Sequence, residues 1–419
     1  MHPLLGLYVG LRLLRLAAET ALDVANRRYA TDPGRLAVAG RTLGMAEDDM
    51  AKALAYSGDR YRLSLVESLV EASVTLGFVA SGRLGVVEAW ARAAAGSGPV
   101  AAGLAFFAIL ALLGALFELP FALYGTFVVE ERHGFNRQTL TGFFLDRVKG
   151  AAVGVALAGP LLAALLAVME RMGPSWWLWA WALVTAFNVF AAWIYPTVLA
   201  PIFNRFTPLP DGELREAILA LAERTGFRAG GLFVMDASRR TAHGNAYFTG
   251  LFGQKRIVLF DTLVSALSVR EVTAVLAHEL GHFRLRHVQW ALVRGVATSG
   301  LLFFALSAAL PLEAPYAAFS LARTSYGALV VFGLWFSLAS FALQPLENAI
   351  SRRHELAADA FALGAGGAAG ADLAAALRKL RERSRLLPVV HPLYSRVYHS
   401  HPPILERLRA LEAGPPPAA

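Results

Sequence analysis

The stretch VTAVLAHELGHFRLRH, residues 272–287, decides how the rest of the chain is read. It holds His278, Glu279 and His282 in the spacing H-E-x-x-H. On an α-helix, positions i and i+4 share a face, so the two imidazoles can grip one metal ion. Neutral imidazole suits zinc, and Glu279 stands beside the pair, placed to take a proton from an attacking water. Val272, Val275, Leu276 and Leu280 give this helix an apolar face, and its charges gather toward the C-terminal side. With ten histidines in the chain, a chance match to the pentapeptide is expected roughly once per hundred such chains.

A hydrolytic zinc needs three protein ligands and an open position. The metzincin continuation requires a histidine six residues after His282, where this chain has Val288. The third ligand therefore comes from elsewhere, and the best candidate lies in NAISRRHELAADAFA, residues 348–362. Glu355 and Asp359 are again i and i+4: Glu355 can face the metal while Asp359 hydrogen-bonds a ligand histidine from behind. Taken alone, an E-x-x-x-D spacing also fits a solvated acidic face.

Composition sets the class. Of 419 residues, 56% are hydrophobic and 17% charged, with mean hydropathy +0.49, the profile of a polytopic membrane protein. The absence of cysteine excludes disulfides, thiolate metal sites and cysteine nucleophiles. The net charge is +8 and the pI near 9.9. Its arginines cluster beside apolar runs, which is membrane-face bias rather than nucleic-acid binding. The wealth of Ala, Leu, Gly and Arg points to a GC-rich bacterial coding sequence.

Apolar runs mark seven spans, or six if the first lies on the surface: 3–18, interrupted by Arg12 and Arg15; 63–87, carrying Glu67 and Glu71; then 100–124, 151–168, 176–199, 290–310 and 325–343. Trp176, Trp177 and Trp179 form an interfacial belt. The segment 20–62, the 130–149 loop, the zinc helix and the C-terminal region all fall on one side. That side is rich in arginine, so the positive-inside rule makes it cytoplasmic. Four divisions follow: 1–200 with five spans, a catalytic insertion at 201–287, two further spans at 288–347, and a C-terminal region at 348–419. The insertion opens with an amphipathic helix at 213–224. Strand-like runs follow at 231–235, 245–250 and 256–260, the last two parted by a turn at Gly253. Such a sheet offers an edge strand to an extended peptide. The GPPPAA run at 414–419 reads as disordered.

His282 lies eight residues before Trp290, and Glu355 twelve after Leu343. These are roughly 12 and 18 Å of helix. The sixth and seventh spans form a hairpin, so both motifs emerge at similar height outside one leaflet.

Beyond these motifs, several long stretches resemble the integral-membrane zinc CAAX protease family, the type 1 prenyl-protein endopeptidases. They are LPFALYGTFVVEERHGFNRQT (119–139), APIFNRFTPLPDGELR (200–215), SRRTAHGNAYFTGLFGQKRIVLFDTL (238–263), HELGH, NAISRRHELAAD and YHSHPPILERLRAL (398–411), running along almost the whole chain. The resemblance implies a mainly α polytopic membrane protein: seven transmembrane helices enclosing a chamber, with a zincin-like α+β insertion at its cytosolic end. It implies one Zn2+ per chain held by His278, His282 and Glu355, with Glu279 as catalytic base. It further implies that Asn245 holds the substrate backbone, and that His401 and Arg407 assist substrate binding or charge stabilisation. The short first span, with its two arginines, departs from the family pattern.

The expected chemistry is peptide hydrolysis, on prenyl-type peptides or on damaged proteins of a bacterial inner membrane. His401, in a Pro-rich turn, also fits a capping or packing role, and Asn245 also fits a turn that closes a strand. His243, His287 and His354 are expected at the surface or behind the ligands, and Arg352 and Arg353 against lipid headgroups or acidic partners. A rival reading is a transporter or scaffold with a structural zinc, in which Glu67, Glu71 and Glu118 would mark a conduction path. Glu279 favours the enzyme, since a structural site has no use for a base.

Overall fold

The structure, a computed structural model, describes residues 2–96, 98–227, 230–241, 245–249 and 256–413. His243, the turn at Gly253 and the 414–419 tail lie outside the described residues. Long apolar helices dominate: α1 (Pro3–Ala30), α2 (Pro33–Leu43), α3 (Glu47–Ala80), α4 (Arg83–Ala95), α5 (Pro99–Tyr124), α6 (Leu140–Arg171) and α7 (Trp176–Ile194). After the catalytic insertion come α12 (His287–Ala309), α13 (Ala314–Ala318) and α14 (Ser325–Leu363). Six helices among the described residues are long and apolar enough to cross a membrane: 47–80, 99–130, 140–171, 173–203, 287–309 and 325–363.

α1 is not among the six because Arg12, Arg15 and Glu19 break its apolar run, yet it takes its place in the assembly. Arg12 is buried and ion-paired to Glu71 of α3. Arg15 pairs with Glu19 at 2.8 Å and donates to the Ser337 carbonyl of α14 at 2.7 Å. Charges at membrane depth are tolerated when they meet such partners. The second span also differs from expectation: its helix ends at Ala80 rather than running to Val87. Gly82, at φ +70°, turns the chain into the separate helix α4. Residues 140–149, expected as loop, are the first turns of α6, capped by the Thr139 side chain. α5 continues as a π-helical segment at Gly125–Glu130 and α7 as another at Tyr195–Leu199. In the second, Pro196 lacks the N–H that the α pattern requires.

Packing between neighbours closes a ring: α1 on α3, α3 on α4, α4 on α5, α5 on α6, α6 on α7, α7 on α12, α12 on α14, and α14 back on α1. Two cores sit at its ends. One gathers Tyr8, Val79, Leu84, Phe106, Leu166, Trp176, Leu306, Phe319 and Tyr326, from helix starts and ends that share one face. The other gathers Leu221, Ile257, Leu259, Leu276, Leu280, Ala362, Leu373 and Leu408 around the catalytic insertion. Between them the spans bury only 6% to 22% of their apolar windows. They stand as a loosely packed ring of helices rather than as a close-packed bundle.

The insertion begins as α8 (Ala200–Phe203) and β1 (Phe206–Pro208), continues through α9 (Glu213–Arg224), β2 (Gly231–Met235), β3 (Ala246–Thr249) and β4 (Arg256–Phe260), and reaches α10 (Asp261–Val264) and α11 (Val269–Arg284). Its sheet has the order β1-β2-β4-β3, with β2 and β4 parallel and the two edges antiparallel. β4 lies inside, so Ile257, Val258 and Leu259 are all buried. β1 leaves no mark in the sequence: it is a three-residue edge strand ended by Pro208, too short for a period-two pattern. The C-terminal helices are α15 (Gly370–Ser384), α16 (Pro392–Tyr398) and α17 (Ile404–Ala413).

Candidate active site

α11 starts at a capping box. The Ser268 side chain accepts from the Glu271 N–H while Glu271 accepts from the Ser268 N–H, and Lys379 of α15 pairs with Glu271 at 2.7 Å. From there the helix runs under the sheet and against α14, which is one continuous helix of 39 residues. At about 58 Å, α14 is far longer than a hydrocarbon core, so its last turns carry Glu355 and Asp359 beyond the membrane. The two helices meet at Gly281, where an added Cβ would stand 3.0 Å from both Cα and the carbonyl oxygen of Ala358. This approach sets both imidazoles against the Glu355 carboxylate.

The donor atoms converge. His278 Nε2 lies 3.3 Å from His282 Nε2 and 3.5 Å from Glu355 Oε2, and His282 Nε2 lies 3.2 Å from Glu355 Oε1. Ligands at about 2.1 Å from a tetrahedral ion stand about 3.4 Å apart, so the triangle has the size such an ion needs. Glu355 Oε2 is buried and has no hydrogen-bond partner. An orphaned buried carboxylate oxygen facing two imidazoles is what a cation would satisfy. Two histidines and a glutamate are also the donor set of hydrolytic zinc. The residues present therefore fit the metal that the motif implies.

Behind the triangle, His278 Nδ1 meets Asp359 Oδ1 at 2.7 Å. Arg407 of α17 donates to both oxygens of Asp359, at 2.9 and 2.6 Å, and reaches Glu355 Oε2 at 3.7 Å. Asp359 and Arg407 are both buried, so the pair neutralises a charge that water does not reach. Burial alone would lower the His278 imidazole, but the facing Asp359 and Glu355 carboxylates prevail and push it up to about 9. Glu279 is half-buried on the same helix. Burial raises its carboxyl above the usual range, and the His278 and His282 charges only partly offset this. That is the direction expected of a general base.

His401 comes from the turn before α17; its Nε2 lies 3.4 Å from Glu355 Oε1, and 63% of its side chain is exposed. The structure thus brings His278, His282, Glu355, Asp359, His401 and Arg407 together. Asn245 is exposed at the head of β3, the edge strand packed on α11; its Oδ1 accepts from the Ala246 N–H. Among the described residues no hydrogen bond joins Asn245 to the donor triangle.

One residue does more than expected, and two histidines stand behind a ligand. Arg352, assigned to headgroups or acidic partners, instead donates to the carbonyls of Ser395, Arg396 and His399, tying the segment that leads to His401 onto α14. A charged residue one turn before Glu355 was the available signal. His287 Nδ1 sits 3.1 Å from His282 Nδ1, and His354 stacks on His287 with ring centroids 4.0 Å apart. The rival conduction path loses support: Glu71 is paired with Arg12, and Glu118 lies 3.8 Å from Arg147.

Comparison with known proteins agrees with the geometry. Residues 42–205 match the family described as CAAX prenyl protease N-terminal, five membrane helices, and residues 208–414 match peptidase family M48. The CAAX prenyl protease 1 homolog of Arabidopsis thaliana is 39% identical over 324 residues, covering 74% of this chain and 73% of that protein. CAAX prenyl protease 1 of Saccharomyces cerevisiae is 38% identical over 334 residues, covering 75% and 72%. The Homo sapiens homolog is 36% identical over 361 residues, 76% of each. The crystal structure of S. mikatae Ste24p superposes with a TM-score of 0.91 at 29% identity, over 98% of this chain and 100% of that one. With both halves matched in order, and with a ring of membrane helices carrying a metal-ligand triangle at one end, this chain is an integral-membrane metalloendopeptidase and belongs to the CAAX prenyl protease 1 family within peptidase family M48.

Proposed function

We propose that the resident metal is a single zinc ion, held by His278, His282 and Glu355, and that Glu279 is the catalytic base. The observation that carries this reading is the donor triangle of 3.2 to 3.5 Å, one residue from a half-buried carboxylate. When bound, zinc supplies a Lewis acid that polarises the scissile carbonyl and makes water easier to deprotonate. Glu279 accepts the proton of the attacking water and delivers it to the leaving amine nitrogen. Asp359 accepts the His278 Nδ1 proton, fixing the tautomer that leaves Nε2 free as a ligand. Arg407, engaged with Asp359, keeps that carboxylate ionised and in place and so acts as a positioning residue. His401 is the most exposed imidazole of the set and is placed to donate a hydrogen bond to the developing oxyanion. Asn245 and β3 present the edge on which an extended substrate backbone pairs.

The relatives' names point to CAAX prenyl-type peptides as substrates; damaged membrane proteins are the second class. Lipid tails of such substrates fit a chamber walled by apolar helices within the bilayer. Arginine bias sets the zinc end on the cytoplasmic side, in the inner membrane of a bacterium. The insertion 201–287 and the region 348–419 act as one catalytic unit on a membrane body formed by 1–200 and 288–347.

The test is Glu279→Gln in the purified protein. Zinc content stays at one per chain while cleavage of a fluorogenic peptide falls by three or more orders of magnitude. Undiminished cleavage would remove Glu279 from the mechanism.

A further inference from the structure

Beside the donor triangle opens a cavity of about 760 Å³, walled by α1, α3, α15 and the 386–404 segment, with His401 and Arg407 on its rim. Four more arginines line it: Arg27, Arg60, Arg381 and Arg385. Each spends a donor on a neutral acceptor. Arg27 reaches Ser57 Oγ at 3.1 Å, Arg60 the Tyr56 hydroxyl at 3.2 Å, Arg381 the Leu386 carbonyl at 2.6 Å, and Arg385 the His133 carbonyl at 2.6 Å. None of the four forms an ion pair among the described residues. The lining contains one carboxylate, Asp23, which hydrogen-bonds Tyr394.

Arg381 is the most telling of the four. Its Nε is buried with no hydrogen-bond partner. Burial, with no nearby carboxylate to oppose it, pulls its guanidinium down to about 10. A desolvated cation without a counter-ion is costly, and such groups persist in clefts where a ligand supplies the missing charge. Guanidinium forks match planar carboxylates in particular. One wall is apolar, with Leu386, Leu387, Pro388 and Val389 next to the guanidiniums. That suits the end of a peptide carrying apolar side chains. Its terminal carboxylate is also the one anion every linear peptide has, whereas an acidic side chain depends on sequence.

We propose that this cavity is a carboxylate subsite that binds the free C-terminus of the peptide substrate, with Arg381 as its principal binding residue and Arg27, Arg60 and Arg385 supporting it. The proposal rests on the peptidase reading above and gives the protein a reason to cut near chain ends. The other source of matching anions is the phosphate of a lipid headgroup, and the experiment separates the two.

The probe is a matched pair of fluorogenic peptides cleaved at the same bond, one ending in a free carboxylate and one in a carboxamide. They are assayed with the zinc-loaded protein in phosphatidylcholine nanodiscs, with and without phosphatidylglycerol. The acid is expected to have a KM roughly ten- to a hundredfold below that of the amide, with similar kcat. Arg381→Met should raise the acid's KM toward the amide's and leave the amide unchanged. Equal KM values in the unmodified protein overturn the subsite without needing any variant to fold. So does a preference that survives Arg381→Met. Equal KM values that both rise with phosphatidylglycerol assign the cavity to lipid phosphate and likewise overturn the proposal. Zinc-dependent cleavage persisting without terminal preference refutes this subsite alone, whereas cleavage of both peptides that survives Glu279→Gln refutes the reading beneath it.

Discussion

Gly281 of α11 lies directly against Ala358 of α14, where an added Cβ would stand 3.0 Å from the Ala358 Cα and carbonyl oxygen, tighter than an ordinary contact. The neighbour is backbone, which cannot rotate away. Gly281→Ala gains about 1 kcal/mol of helix propensity but meets an overpacking cost of about 1–3 kcal/mol. The net effect is to push the two halves of the metal site apart. Zinc content and thermal midpoint are both expected to fall, with cleavage reduced at least tenfold. A variant with full zinc and unchanged cleavage would show that this approach does not hold the ligands in register.

Arg407→Met leaves the Asp359 carboxylate buried without its partner. Breaking a buried pair from one side costs about 3–5 kcal/mol, whereas replacing both members with apolar residues is often neutral. Thermal unfolding should therefore rank Arg407→Met below the Arg407→Met/Asp359→Leu double variant. The double variant regains no activity, because His278 has lost its acceptor. Equal stability of the single and double variants would contradict the burial argument.

Asp359→Asn keeps the shape and removes the charge that holds the His278 Nδ1 proton. Losing such a partner typically costs about ten- to a hundredfold in metal affinity. Competition against a chelator of known zinc affinity measures this directly. An unchanged affinity would mean that His278 is oriented by packing alone.

Glu271 provides a pH signature outside the membrane. Burial would raise its carboxyl, but Lys379 and the Ser268 N–H outweigh it and hold it below the ordinary 4.5. A depressed folded value stabilises the ionised state, so the contribution is full above about pH 4.5 and is lost as pH falls through the folded value. The stability gap between the unmodified protein and Glu271→Gln is expected to be constant near neutrality and to close as the pH falls below 4.5. A gap that widened on acidification would reverse the sign of this argument.

Much of the site was legible because its ligands are spaced locally. His278 and His282 are four apart, as are Glu355 and Asp359, and each pair shares a helix face. The amphipathic α9 was legible for the same reason, since its apolar residues recur at helical spacing and it occupies 213–224 as expected. What escaped the sequence was set by contacts between distant residues. Arg12 looked like a break in the first span because its partner Glu71 is 59 residues away. The Arg407–Asp359 pair joins positions 48 apart, and Arg352 finds its carbonyls more than 40 residues downstream. In sequence α14 reads as a span plus a separate motif because polar residues from Asn348 onward end the apolar run, although nothing ends the helix before Gly364.

The central claim is a single zinc clasped by side chains from α11 and α14. Anomalous diffraction above and below the zinc absorption edge, on crystals of the purified protein, tests it most directly. The account predicts one zinc peak per chain, within bonding distance of His278 Nε2, His282 Nε2 and a Glu355 carboxylate oxygen. A zinc-loaded crystal with no peak there, or with its peak on other residues, would contradict it.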